Sequence, residues 1–195
     1  MHKGKRATAA VLMMPADGAA ISQSAPSGAR RSLSLEDLNG LVQALGATHQ
    51  PSPIYQAIER LSGEVIGHRL FTIARANLNG SEIERVHSSL PAIYPVGGRK
   101  QKAGTPWANR VLREMKIFRA VSREEIRATF DDHQSMLNLG LGSILNIPIV
   151  FDGRCVGTMN LCHDPGWYCE KDEVVGRLLS TFLVPALATA HAPST

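Results

Sequence analysis

"SILNIPIVFDGRCVGTMNL", residues 143–161, decides the fold. Two runs rich in strand-forming residues, 143–151 and 154–161, flank Asp152-Gly153, a dipeptide suited to a two-residue hairpin turn because both turn positions take positive φ. The stretch therefore predicts a β-hairpin. Beyond it, "KDEVVGRLLSTFLVPALATA" (171–190) reads as an apolar helix that Pro185 ends or kinks.

Working back toward the N-terminus, helical and strand patterns alternate. "LEDLNGLVQAL" (35–45) after Ser34 is a short helix, and "SPIYQAIERLSGEV" (52–65) is a clearer one. In the latter Ser52 is the expected cap, Pro53 suits the first helical position, and Ile54, Ala57, Ile58, Leu61 and Val65 share a face. "HRLFTIARA", "NLNG" and "SEIERVHSS" (68–89) predict a second hairpin. "YPVGGRKQKAG" (94–104) reads as a basic, glycine-rich, solvated loop. "TPWANRVLREM" (105–115) starts a helix with a Thr105 cap and Pro106, and "KIFRAV" (116–121) is a short strand. Ser122 and Glu125 form a capping box for a helix through Phe130, and a last helical turn from His133 stops at Gly140. The order predicts an α+β domain built on an antiparallel sheet.

Composition bounds the possibilities. The net charge of +4 is carried entirely by residues 1–34, leaving 16 basic and 16 acidic side chains over the rest. That distribution argues against nucleic acid as a partner. Residues 1–32 are rich in Ala, Ser, Gly and Pro and read as a disordered basic tail; 33–49 form an N-terminal helix and linker, and 50–192 the folded domain. "AAVLMM" near the start is too short for a secretory signal, and no apolar run reaches the ~20 residues of a membrane span. Three cysteines, Cys155, Cys162 and Cys169, make no disulfide framework, so the expected compartment is the cytoplasm.

The hairpin and final helix carry a pattern of Ser, apolar-Pro-apolar, a turn with Gly, apolar-Gly-x-x-Asn-Leu and an acidic helix start. Ser143, Pro148, Gly153, Gly157, Asn160, Leu161 and Asp172 fall on it, and the chain resembles a GAF domain over roughly residues 50–190. The resemblance implies a central antiparallel sheet with the first and last helices on one face, often dimerising. Short helices and loops would close a small-molecule pocket over the other, in a GAF/PAS-like arrangement. Such domains bind cyclic nucleotides, tetrapyrroles, amino acids or other metabolites. At this length no output domain is expected, so the implied function is non-catalytic sensory binding of an unidentified small molecule by a homodimer joined through its terminal helices.

Two alternatives accompany that reading: a thiol-dependent free methionine-(R)-sulfoxide reductase, and a dimeric interaction domain with a vestigial pocket. The resemblance places the reductase cysteines in the loop closing the pocket, but no cysteine precedes Arg154, which weighs against an enzyme. Strand alternation sends Cys155 and Cys162, seven apart, to opposite faces, and no four-ligand cluster suggests a metal. The Asn-Lys-x-x-x-x-Phe pattern of cyclic-nucleotide binders is absent, and Cys162-His163 sits past the pocket helix that would carry a bilin. No cofactor is expected. The candidate ligand-binding residues are Tyr94, Trp107, Phe118, Phe130, Asp132, His133 and Asn146. Asp132 and His133 combine a carboxylate with an imidazole, although Asp132 also suits a helix cap. Asn146, a buried amide in a strand, needs partners that a ligand or the protein must supply. Asn160, on the family pattern, is read as structural.

Overall fold

The 143–161 stretch forms the centre of a six-stranded antiparallel sheet. The computed structural model describes residues 30–77, 80–131 and 133–188. Residues 1–29, Leu78 and Asn79, Asp132 and residues 189–195, and with them most of the span read as a disordered tail, lie outside the described residues. The strands are β1 (Leu70–Ala76), β2 (Glu82–Ser88), β3 (Arg99–Gln101), β4 (Phe118–Ala120), β5 (Ser143–Phe151) and β6 (Arg154–His163), in the order β3-β2-β1-β6-β5-β4. Asp152 and Gly153 take φ of 50° and 67°, the positive values that the two-residue turn between β5 and β6 demands.

One face of the sheet is covered by α1 (Leu35–Gly46), α2 (Ser52–Val65), α6 (Glu170–Thr181) and α7 (Val184–Ala188). Phe71 and Ile73 of β1, Leu145 and Ile147 of β5, and Met159 and Leu161 of β6 point into this layer against Ile54, Ile58, Leu179 and Leu187. The alternate residues Leu70, Ile144 and Cys162 face the other way, into a second core. That core is closed by α3 (Pro106–Ala108), a π-helical turn over Asn109–Arg113, α4 (Arg123–Thr129) and α5 (His133–Asn138). The period-2 alternation of each strand thus divides the interior into a helix-backed half and a half holding the candidate site.

Local signals act largely as their chemistry requires. Ser122 and Glu125 cap α4 reciprocally, as Ser34 and Asp37 do for α1. The last helix breaks at Phe182–Leu183, with Pro185 inside α7. Four expectations need correction. The N-cap of α2 is Pro51, with Ser52 already helical and making no side-chain cap. The helix from Thr105 is only three residues of α-helix before it widens into the π turn, which ends at Arg113, two residues before Met115 with its φ of +54°. The basic glycine-rich stretch contains a short edge strand, Arg99–Gln101, where Lys100 pairs with Ile83, and just before it Arg85 N–H donates to Gly98 O at 2.8 Å. Cys155 packs with the Cys162 core rather than on the opposite face, because the β5–β6 register slips where Ile149 opposes Gly157 and Val150 opposes Cys155. That bulge adds one residue to β6 and reverses the alternation beyond it.

The span assigned to the tail also has a structured end. Arg30 donates to both carboxylate oxygens of the buried Asp172, at 2.8 and 2.9 Å, and to Trp167 O. Arg31 bridges Asp37 and Glu64, tying the entry of α1 to α2.

Candidate functional site

On the second face of the sheet a row of residues runs across the strands: Phe118 of β4 opposes Asn146 of β5, Asn146 opposes Asn160 of β6, and Asn160 opposes Thr72 of β1. Three neighbouring polar side chains in a sheet interior have to satisfy one another. Trp107, held over them by α3, donates from Nε1 to Asn146 Oδ1 at 2.9 Å. Asn146 Nδ2 donates to Asn160 Oδ1 at 2.8 Å. Asn160 Nδ2 then donates to the hydroxyls of Thr158 and Thr72, at 3.1 and 3.2 Å. This chain floors a cavity whose other walls include Tyr94, Phe130 and Met136. Its free space is about 90 Å³, the liquid volume of about three waters.

The position of Trp107 follows from its sequence. Thr105 accepts from Ala108 N–H at 3.1 Å and starts the turn, Pro106 suits its first position, and Val111 anchors the π turn in the second core. The edge strand β3 supplies cations by alternation. Arg99 turns away toward Glu84, whereas Lys100 lines the cavity, as do Lys102 and Arg85. Arg85 lies over the Tyr94 ring and donates to Pro95 O, and Lys102 lies 5.4 Å from the Trp107 ring centre.

Of the seven candidate ligand-binding residues, the structure brings Tyr94, Trp107, Phe130 and Asn146 to one cavity. Phe118 supports that wall from behind, edge-to-face with Phe130 at 5.7 Å. His133 is outside the lining, its Nδ1 2.7 Å from Phe130 O, and Asp132 is outside the described residues. The sequence reading left out Thr72, took Asn160 as structural and took the basic 94–104 stretch as a solvated loop. Thr72 had a signal in the alternation of "LFTIARA", which puts Leu70, Thr72 and Ala74 on one face and the bulkier Phe71 and Ile73 on the other. Asn160 lines the same cavity as Asn146, so a residue on the family pattern also belongs to the candidate site.

Burial pushes the Cys155 thiol up to about 11, and it donates to Gly157 O at 3.1 Å. Among the described residues no cluster of three His, Cys, Asp or Glu side chains is placed to hold a metal ion. Among the same residues no helix is long and apolar enough to cross a membrane.

The fold and site can be set beside known proteins. The family model for the GAF domain matches residues 7–183. Among solved structures, the GAF domain of a phosphoenolpyruvate-protein phosphotransferase from Coxiella burnetii superposes with a TM-score of 0.67 at 14% identity, covering 81% of this chain and 94% of that one. The corresponding domain from Acinetobacter gives 0.65 at 14% identity, with 83% and 96% covered. The chromophore-binding domain of a bacteriophytochrome from R. palustris gives 0.53 at 11% identity, with 82% and 64% covered. At these identities the likeness is one of fold. No curated protein matches the chain.

Proposed function

The chain belongs to the GAF domain family, and from that premise we propose that it is a non-catalytic sensory module that binds a small molecule between β1, β5 and β6 and the Trp107 segment. GAF domains are commonly regulatory, ligand-binding units. The observation that carries the reading is the hydrogen-bonded chain from Trp107 through Asn146 and Asn160 to Thr72. It places polar side chains at the floor of a cavity that Leu70, Ile83, Trp107, Phe130, Met136 and Ile144 also line, the mix of apolar walls and a few convergent polar groups that a specific ligand site uses. The protonated Cys155 thiol weighs against reductase chemistry at neutral pH.

A route leads outward from this floor. A ligand seated against the Trp107 indole bears on α3 and the π turn, a local irregularity of the kind that recurs at functional sites. Arg110, in that turn, donates to Ile117 O at 2.9 Å, and β4 follows directly. Arg119 of β4 donates to Glu173 of α6 at 2.6 Å. The binding event thus reaches α6, whose outer face carries Val174, 70% exposed, and Leu178, 42% exposed, one turn apart. That face joins two copies of the chain: Glu170 and Glu173 precede Val174 and Arg177 follows it, so antiparallel pairing opposes unlike charges.

The test is a thermal-shift screen of the full chain against metabolites, with Ala74→Leu as the blocked control. Ala74 lines the cavity, and the added isobutyl group occupies the space a ligand would take. Compounds that bind only the native state raise the melting temperature, and the shift disappears in the blocked variant. A screen without any shift, or shifts that persist in Ala74→Leu, refutes the reading.

A further inference from the structure

The direction of hydrogen bonding along the cavity floor is set by its first member. An indole N–H only donates, so Asn146 must turn Oδ1 toward Trp107 and its amide nitrogen toward Asn160. Asn160 must then present its oxygen to Asn146 and its amide hydrogens to the two threonine hydroxyls. A hydroxyl that accepts a hydrogen bond keeps its own proton to donate. Thr158 is fully buried behind the floor, but Thr72 and Asn146 both line the cavity. Among the described residues, neither the Thr72 O–H nor the second Nδ2–H of Asn146 finds an acceptor. The floor therefore offers two donors, one on β1 and one on β5 with Asn160 of β6 between them, in a cavity walled in part by Trp107 and Phe130.

We propose that the ligand is a small carboxylate, seated with its oxygens toward Thr72 Oγ1 and Asn146 Nδ2. The proposal rests on the ligand-binding reading above and specifies its chemistry. A carboxylate only accepts, so it suits a floor that offers donors, and its charge strengthens each bond it makes there. Arg85, Lys100 and Lys102 line the same cavity, and among the described residues its lining holds no acidic side chain. An ammonium group meets donors on the floor and cations on the wall, and is rejected on both counts. The free space of about 90 Å³ restricts the ligand in this conformation to acids of a few carbons.

The probes are acetate, pyruvate and succinate, set against acetamide and ethylammonium, with sodium chloride at matched ionic strength as the blank. Melting temperature and calorimetric binding are measured on the full chain and on Thr72→Val and Thr72→Ser. Thr72→Val is nearly isosteric and lacks the donor; Thr72→Ser restores it. At least one acid raises the melting temperature above the blank, its affinity falls about tenfold in Thr72→Val and recovers in Thr72→Ser, while ethylammonium produces no shift. Equal acid affinity in wild type and Thr72→Val overturns the proposal, as does a shift that sodium chloride reproduces. Binding of acetamide or ethylammonium, or of metabolites from the wider screen, without any acid overturns the carboxylate assignment and leaves the ligand-binding reading standing. Silence from every compound in both screens overturns both.

Discussion

His163 stacks on Trp167 with ring centres 3.4 Å apart and planes 7° from parallel, and Arg30 covers the other face of the indole at 4.4 Å. Its Nδ1 accepts from the Asp164 N–H at 2.7 Å, which only a neutral ring can do on that nitrogen. Burial pushes its pKa down to about 4, against the opposing pull of the Asp164 carboxylate. In the unfolded chain the imidazole titrates near 6.5. Between those values the unfolded chain binds a proton that the folded one refuses, so stability is complete above about pH 6.5 and falls as pH drops toward 4. Burial shifts His68 in the same direction. Urea unfolding across that window is expected to lose up to about 3 kcal/mol through His163, and His163→Gln to flatten the dependence; equal slopes in both proteins refute it. In the sequence this histidine stood out only as the neighbour of Cys162. Its place between a strand end and Trp167 depends on a side chain four residues on and an arginine from the far end of the chain.

At the scale of elements, Gly157 explains why one position of β6 tolerates no side chain. A Cβ there would lie 2.4 Å from Ala74 O and 2.7 Å from Leu187 Cδ1, so both the neighbouring strand and α7 would have to move. Gly157→Ala is expected to destabilise the protein by about 1–3 kcal/mol or more. Gly46→Ala, at the end of α1 with nothing within 4 Å of its added Cβ, should be neutral or stabilising by up to about 1 kcal/mol. Chemical denaturation of the two variants decides the matter, and equal midpoints would sink the close-approach argument. The glycine, the Asp152-Gly153 turn and the strands on either side were legible because each is a local preference. The bulge between Ile149 and Val150 was not, since a slipped register arises between two strands and has no composition of its own. That slip is why Cys155 faces the second core. The two cysteines still cannot share a metal, but because seven residues of strand separate them by ~23 Å, not because they face apart.

For the whole molecule, α2 packs between α1 and α6, and both outer helices leave apolar side chains uncovered: Leu35 and Val42 on α1, Val174 and Leu178 on α6. The proposed dimer predicts sedimentation at twice the 21.1 kDa monomer mass. Val174→Glu with Leu178→Glu should dissociate it to monomers without loss of secondary structure, because neither side chain is in the core. A wild-type chain that sediments as a monomer at tens of micromolar refutes the pairing. The apolar periodicity of these helices was readable, as was their place on one face of the sheet. Which side chains remain outside was not, because each helix carries more apolar residues than the sheet can cover.

The amino-acid sequence by itself determined most of the elements, the two hairpins and the membership of the fold family, since periodicity and turn dipeptides act over a few residues. It also pointed to Asn146, because an amide in a buried strand has to be answered by something. Only the tertiary structure decided what answers it. Trp107, Asn160 and Thr72 come from three separate parts of the chain and meet through strand register. The indole at one end of their chain orients every amide after it. Hydrogen-bond direction across a cavity is a property of partners distant in sequence, and it is this direction, not the presence of polar residues, that sets the chemistry a ligand must bring.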